Sequence, residues 1–118
     1  IYNVVDNFEQ VPTITLHDIL VQLDDRPVFL KLDCEGSEYE ILLSATDEAM
    51  DRISHVAIEI HYDLHPIYKG YTIIENKLKY HGFSLVDHQQ MYYFTQNSTG
   101  AVIAQHELPF VVQFWSKQ

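Results

Sequence analysis

The stretch K-L-D-C-E-G-S-E-Y-E, residues 31–40, constrains this chain more than any other. It follows the apolar run Pro27-Val28-Phe29-Leu30 and leads into Ile41-Leu42-Leu43. A strand that ends in acids, turns on a glycine and opens a helix puts carboxylates at the carboxyl edge of a sheet. That edge is where open α/β folds bind ligands. A second strand-like run, H-V-A-I-E-I-H at 55–61, comes after a stretch with helix signals. Two strands joined through such a segment form a right-handed crossover and lie parallel.

The rest of the chain fills in an α/β pattern. Thr15-Leu16-His17-Asp18 reads as a capping box opening a short helix to about Leu23. Asp24-Asp25-Arg26-Pro27 is a turn before the strand at 28–33. Ser37 with Glu40 makes a second capping box, predicting a helix from 38 to 45, and Thr46-Asp47-Glu48 starts another that ends before His55. Residues 62–71 read as a loop with Pro66 and Gly70. Thr72-Ile73-Ile74-Glu75 is a third capping box, and Gly82 stops its helix. Strands are predicted at 83–87 and 91–95, a turn at Asn97-Ser98-Thr99-Gly100, and a last strand at 110–115 after Pro109. The expected architecture is a parallel βαβ unit followed by antiparallel strands, with helices on the sheet faces.

Residues two apart on a strand share a face. Phe29, Lys31 and Asp33 therefore point one way on the first strand, and Ala57, Glu59 and His61 do so on the second. With these strands as neighbours, Lys31 and Glu59 are predicted to pair in mid-sheet. Asp33, Glu35 and His61 are predicted to line one crevice at the carboxyl rim. Desolvating two ions costs several kcal/mol each before pairing offsets it, so the Lys31–Glu59 pair has either a structural or a supporting role. His61, Asp63 and His65 alternate and offer metal-ligand chemistry, with Glu35 or Asp33 across the rim. Their spacing matches no strict motif, so no metal is assigned and a metal-dependent hydrolase ranks last. His17, His55, His81, His88 and His106 are scattered and read as surface residues. Tyr68, Tyr71, Tyr92 and Tyr93 read as core or rim packing. The acids flanking Cys34 disfavour a thiolate, which argues against a thiol enzyme.

Totals limit the partners. With 118 residues the chain suggests a single domain. A net charge of −10 argues against nucleic acid and against an anionic membrane surface. No apolar run approaches a membrane span, and the opening residues do not read as a signal peptide. A lone cysteine fits a reducing, cytoplasmic compartment. The start in mid-pattern, Ile1-Tyr2-Asn3-Val4-Val5 without Met, suggests part of something longer.

Thr15-Leu16-His17-Asp18-Ile19-Leu20, then Leu30-Lys31-Leu32-Asp33-Cys34-Glu35-Gly36-Ser37-Glu38, then Ile58-Glu59-Ile60-His61 resemble the later half of FkbM-type methyltransferases. The family has an acid after Thr-Leu where this chain has His17. The likeness is specific over 11–61 and looser to the end, where Leu108-Pro109-Phe110-Val111-Val112 resembles the closing strand. It implies a Rossmann-like sheet binding S-adenosylmethionine, with residues 28–33 as fourth strand and 55–61 as fifth. Residues 1–118 would then be the C-terminal part of a larger methyltransferase domain.

The resemblance also implies O-methylation of a hydroxyl on a small molecule or sugar. Asp33 and Glu35 would position cofactor or acceptor, His61 would be the base, and Lys31 and Glu59 would support them. The glycine-rich loop of the earlier strands has no counterpart among Gly36, Gly70, Gly82 and Gly100, so this chain alone is expected to bind the cofactor weakly or not at all. The alternative from another class is a non-catalytic α/β interaction module that lacks the cofactor half. Without a first strand beside it, the strand at 28–33 is expected to promote self-association through an exposed edge. The first ten residues are the segment able to cover that edge.

Overall fold

The computed structural model describes residues 10–117, so any cover supplied to the sheet edge by residues 1–9 lies outside the described residues. The elements run α1 (Leu16–Leu20), β1 (Val28–Leu32), α2 (Glu38–Leu43), α3 (Asp47–Arg52), β2 (Ile53–Ile60), α4 (Thr72–Tyr80), β3 (Phe83–Gln96) and β4 (Val102–Lys117). The four strands form one sheet in the order β1-β2-β4-β3. β1 and β2 are parallel, with Lys31 opposite Ala57 and Leu32 opposite Ile58. β4 runs antiparallel to both β2 and β3. The mixed α/β pattern read from the sequence is thus present.

One face of the sheet holds the core. Val56, Ile58 and Ile60 of β2 stand opposite Trp115, Gln113 and Val111 of β4. Tyr39 and Leu42 of α2, Met50 of α3, and Ile74 and Leu78 of α4 complete this buried layer. Ile74 and Leu78 are four apart, which sets them on one side of α4. Burying side chains of this size contributes roughly 1.5–3 kcal/mol each. The opposite face carries Phe29, Lys31, Ala57, Glu59, Val112 and Phe114. Phe29 is 62% and Phe114 41% exposed, and no described helix covers them.

Local chemistry explains the element ends. Thr15 accepts from the Asp18 N–H and the Thr15 N–H donates to Asp18, closing the predicted capping box. Thr46 caps α3 by accepting from the Ala49 N–H at 3.1 Å. The other two boxes do not form: neither Ser37 nor the actual cap of α4, Tyr71, makes a side-chain cap bond. Their acids are used elsewhere, Glu40 with His65 and Glu75 with Gln113.

The second half departs further from expectation. The strands predicted at 83–87 and 91–95 are one 14-residue strand, β3, and β4 begins at Val102 rather than 110. The polar run Asp87-His88-Gln89-Gln90 reads as a break, yet it continues the ladder with register shifts at 85/87 and 90/92. Gln90 fills the second irregularity, its Nε2 donating to the Leu108 and Phe110 carbonyls at 2.7 and 3.2 Å. Pro109 is tolerated within a strand because it sits at that irregularity. Tyr92 and Tyr93 are exposed on this arm and do not pack in the core. At its tip Asn97 Oδ1 accepts from the Thr99 and Ala101 N–H groups, and Gly100 turns at φ 84°. No described helix is long and apolar enough to cross a membrane.

Candidate functional site

β1 and β2 end side by side, so parallel pairing carries Asp33 and His61 out at the same rim. The turn after β1 is tight: Ser37 N–H donates to the Cys34 carbonyl at 3.2 Å, and Glu35 and Gly36 take left-handed φ values of 52° and 105°. Such a turn leaves backbone N–H groups without helical partners. Glu38, fully buried at the start of α2, reaches back to satisfy them. Its Oε1 accepts from the Cys34 N–H at 3.2 Å and its Oε2 from the Gly36 N–H at 2.8 Å.

Glu38 Oε1 also lies 2.6 Å from Nδ1 of His61. The tautomer that satisfies this contact carries hydrogen on Nδ1 and, in the neutral ring, leaves the Nε2 lone pair free. The Phe110 ring, 5.2 Å away between centroids, packs against the imidazole. His61 is only 5% exposed, and its Nε2 faces Asp33 Oδ1 at 3.9 Å and Glu59 Oε2 at 3.8 Å. Neither separation is a hydrogen bond. Asp33 is half exposed and Glu59 about one-third exposed, so the rim opens to solvent.

Burial pushes the Glu59 carboxyl above its ordinary value, and a hydrogen bond to Asp33 and the Asp33 charge add to this. The charges of His61 and Lys31 pull the other way. Two carboxyl groups this close hold a proton between them more firmly than either would alone. Beside Glu59 lies an apolar hollow of about 250 Å³ on the open sheet face, lined by Phe29, Leu32, Ala57, Val112 and Phe114 among others. A larger groove of about 530 Å³, between the start of α1 and α2, is remote from these acids.

Asp33, Glu59 and His61 are thus brought together. Glu35 is exposed in the turn and stands outside that cluster. Lys31 is exposed on the open face and makes no ion pair with Glu59, so the mid-sheet pair predicted from strand facing does not form. The facing was read correctly, but the face is not covered by described helices, and Glu59 turns toward Asp33 instead. His65 does not converge with His61 and Asp63. Its Nδ1 accepts from the Ile67 and Tyr68 N–H groups at 3.0 Å and its Nε2 meets Glu40 at 3.1 Å, which makes it a loop brace. His81, read as a surface residue, has a side chain only 5% exposed and lies 3.7 Å from Asp47.

Glu38 is the residue that sequence reasoning passed over, because the Ser37–Glu40 pattern made it an ordinary first-turn acid. The available signal was its place two residues after a glycine whose turn leaves N–H groups to satisfy.

A family model described as Methyltransferase FkbM domain matches residues 4–97. That span includes 11–61, where the motifs lie, and stops short of the Leu108–Val112 segment. No curated protein and no solved structure matches the chain.

Proposed function

The chain belongs to the FkbM methyltransferase family, and from that premise we propose that it forms the acceptor-side part of an S-adenosylmethionine-dependent O-methyltransferase. The acceptor is a hydroxyl of a small molecule or sugar. In this reading residues 1–118 are the C-terminal part of a larger Rossmann-like domain, with β1 and β2 as its fourth and fifth strands. The compartment is cytoplasmic, in keeping with a lone, unpaired Cys34. Family membership weighs against the non-catalytic module.

The observation that carries this reading is the Glu38–His61 contact at 2.6 Å beside an open acidic rim. A buried carboxylate fixes the imidazole ring and stabilises the cation formed when Nε2 takes a proton, which is the arrangement a general base needs. His61 then receives the proton of the acceptor hydroxyl as that oxygen becomes nucleophilic. Asp33 and Glu35 hold the acceptor or the cationic end of the cofactor. Their charge suits the ammonium and sulfonium groups of S-adenosylmethionine, which supplies the methyl group when bound. Gly36 is not an open cradle, because a Cβ there would meet Leu64 Cβ at 3.1 Å. The rim turn therefore offers acids but no open approach at Gly36.

Transfer of labelled methyl from S-adenosylmethionine to a panel of hydroxyl acceptors tests the reading, using the whole encoded protein. His61→Gln should lower kcat about 10²–10⁴-fold with little change in cofactor affinity. Unchanged kcat would remove His61 from the proton path. Calorimetry on the 118-residue chain should give weak or no cofactor binding; low-micromolar binding would overturn the split assigned here.

A further inference from the structure

We propose that Asp33, Glu59 and His61 form a binding site for one divalent first-row cation of the Mn²⁺ kind. The inference rests on reading this rim as the acceptor pole, and it deepens that reading: the acceptor oxygen would be held by the ion. A cation and a proton compete for the same Nε2 lone pair, so His61 is the base in the metal-free protein. In the loaded protein it would be a ligand, and the ion itself would acidify the bound hydroxyl, whose proton then leaves to water.

Geometry comes first. The three donor atoms all lie within 4.8 Å of one another. Their common centre is then no more than about 2.8 Å from each, and an inward shift of under about 1 Å reaches the roughly 2.0–2.2 Å of a bound ion. Asp33 and Glu59 are partly exposed and have room to make that shift.

Two carboxylates alone would not make a site, and His61 supplies the independent observation. Its side chain is more than nine-tenths buried, and Nε2 is aimed between the two acids with no hydrogen-bond partner. The nitrogen itself reaches solvent between the two acids, so its lone pair is open to a ligand that enters from the rim. The other ring nitrogen is held by the buried Glu38 carboxylate. Behind metal-bound histidines, such a carboxylate fixes the tautomer and raises the basicity of the ligating nitrogen.

The donor set narrows the ion to the first-row divalent class, of which Mn²⁺ is the spectroscopic probe. All-oxygen sites suit Mg²⁺ and Ca²⁺, and sulfur-rich closed tetrahedra suit structural Zn²⁺. One imidazole with two carboxylates and an open mouth suits Mn²⁺ and leaves positions for water or a hydroxyl oxygen.

Electron paramagnetic resonance with added Mn²⁺ tests the proposal on the protein in solution. One ion per chain should bind, and the spin-echo spectrum should carry modulation from a coordinated nitrogen. His61→Gln should abolish that modulation. Asp33→Asn, a change at a half-exposed side chain, should weaken binding at least tenfold with the circular dichroism unchanged. Glu38→Gln should weaken it about 10–100-fold through the ring it orients.

Asp63→Asn removes the same charge outside the cluster and should stay within twofold. No nitrogen modulation, or equal losses for Asp33→Asn and Asp63→Asn, would reduce the effect to general attraction to an acidic chain and overturn the site. Neither result bears on methyl transfer, which the label assay reads separately.

Discussion

Glu38 and His61 lie 23 residues apart in sequence and 2.6 Å apart in space, with both side chains buried. The same carboxylate holds the turn after β1 through the Cys34 and Gly36 N–H groups. Glu38 therefore couples the shape of the turn to the orientation of the histidine. Glu38→Ala would leave three donors unpaired, two of them buried, and should destabilise the fold by about 3–5 kcal/mol. Glu38→Gln keeps one acceptor oxygen and should cost about 1–3 kcal/mol. Urea unfolding at constant m-value measures both. A loss under about 1 kcal/mol for the alanine variant would mean the turn holds itself.

Much of this arrangement was legible in residues 11–61, because their signals are local. The Thr15–Asp18 box, the acid-glycine turn and the alternation of the two strands each follow from neighbouring residues. The rim followed from strand polarity alone. The pairing of Glu38 with His61 was not legible, since it is set by the crossover and not by helix periodicity. The long β3–β4 arm was hidden for a different reason. Its β3 side is exposed on most of its length with no apolar alternation to distinguish strand from loop, and on the β4 side the polar run Gln105-His106-Glu107 breaks the apolar pattern. The fate of Lys31 depended on whether its sheet face is covered, which strand facing does not reveal.

Gly36 is held at φ 105°, and an added Cβ would come within 3.1 Å of Leu64 Cβ. Backbone strain and contact act together there. Gly36→Ala should cost about 1–3 kcal/mol. The Glu38 contact to its N–H should also be disturbed, changing the chemical shifts of His61. Gly100→Ala, with a similar φ of 84° but nothing within 4 Å, separates strain from contact. Equal losses at the two positions would show that Leu64 plays no part.

Tyr39 is pushed up to about 12 by burial first, then by the charges of Glu38 and Asp63. Its hydroxyl donates to the Gly70 carbonyl. In the unfolded chain it ionises near 10.0. The folded value is the higher one, so its contribution to stability is complete below about 10.0 and is lost as pH rises through about 12. Denaturation midpoints across that range should fall for the wild type and fall less for Tyr39→Phe. Parallel curves would locate the alkaline loss elsewhere.

The raised Glu59 carboxyl makes a prediction of the same sign, at lower pH and at the surface. Its contribution is present below its unfolded value of about 4.5 and is lost as pH rises through the higher folded value. Asp33→Asn removes the like charge beside it. At neutral pH that variant should be more stable than the wild type by under about 1 kcal/mol, because both groups are partly exposed and screened. The gain should shrink as pH falls below the Glu59 titration. Thermal unfolding in metal-free buffer checks this, and a less stable variant at neutral pH would show that Asp33 holds the turn by hydrogen bonds instead.

β1 has one neighbour, β2, so among the described residues its other edge is open. An open edge is a template for pairing with another chain. The adjoining face adds exposed Phe29 and Phe114, which favour burial against a second surface. A net charge of −10 opposes association. That repulsion is screened beyond about 8 Å at physiological salt, whereas an edge in contact gains backbone hydrogen bonds and apolar burial together. The 118-residue chain should therefore self-associate at tens of micromolar in sedimentation experiments. Phe29→Lys, which sets a charge beside the open edge, should shift it toward monomer. Phe94→Lys, on the exposed β3–β4 arm, should not. A cooperatively folding wild-type monomer at these concentrations would mean the edge is already covered, and a shift with Phe94→Lys alone would move the contact to the arm.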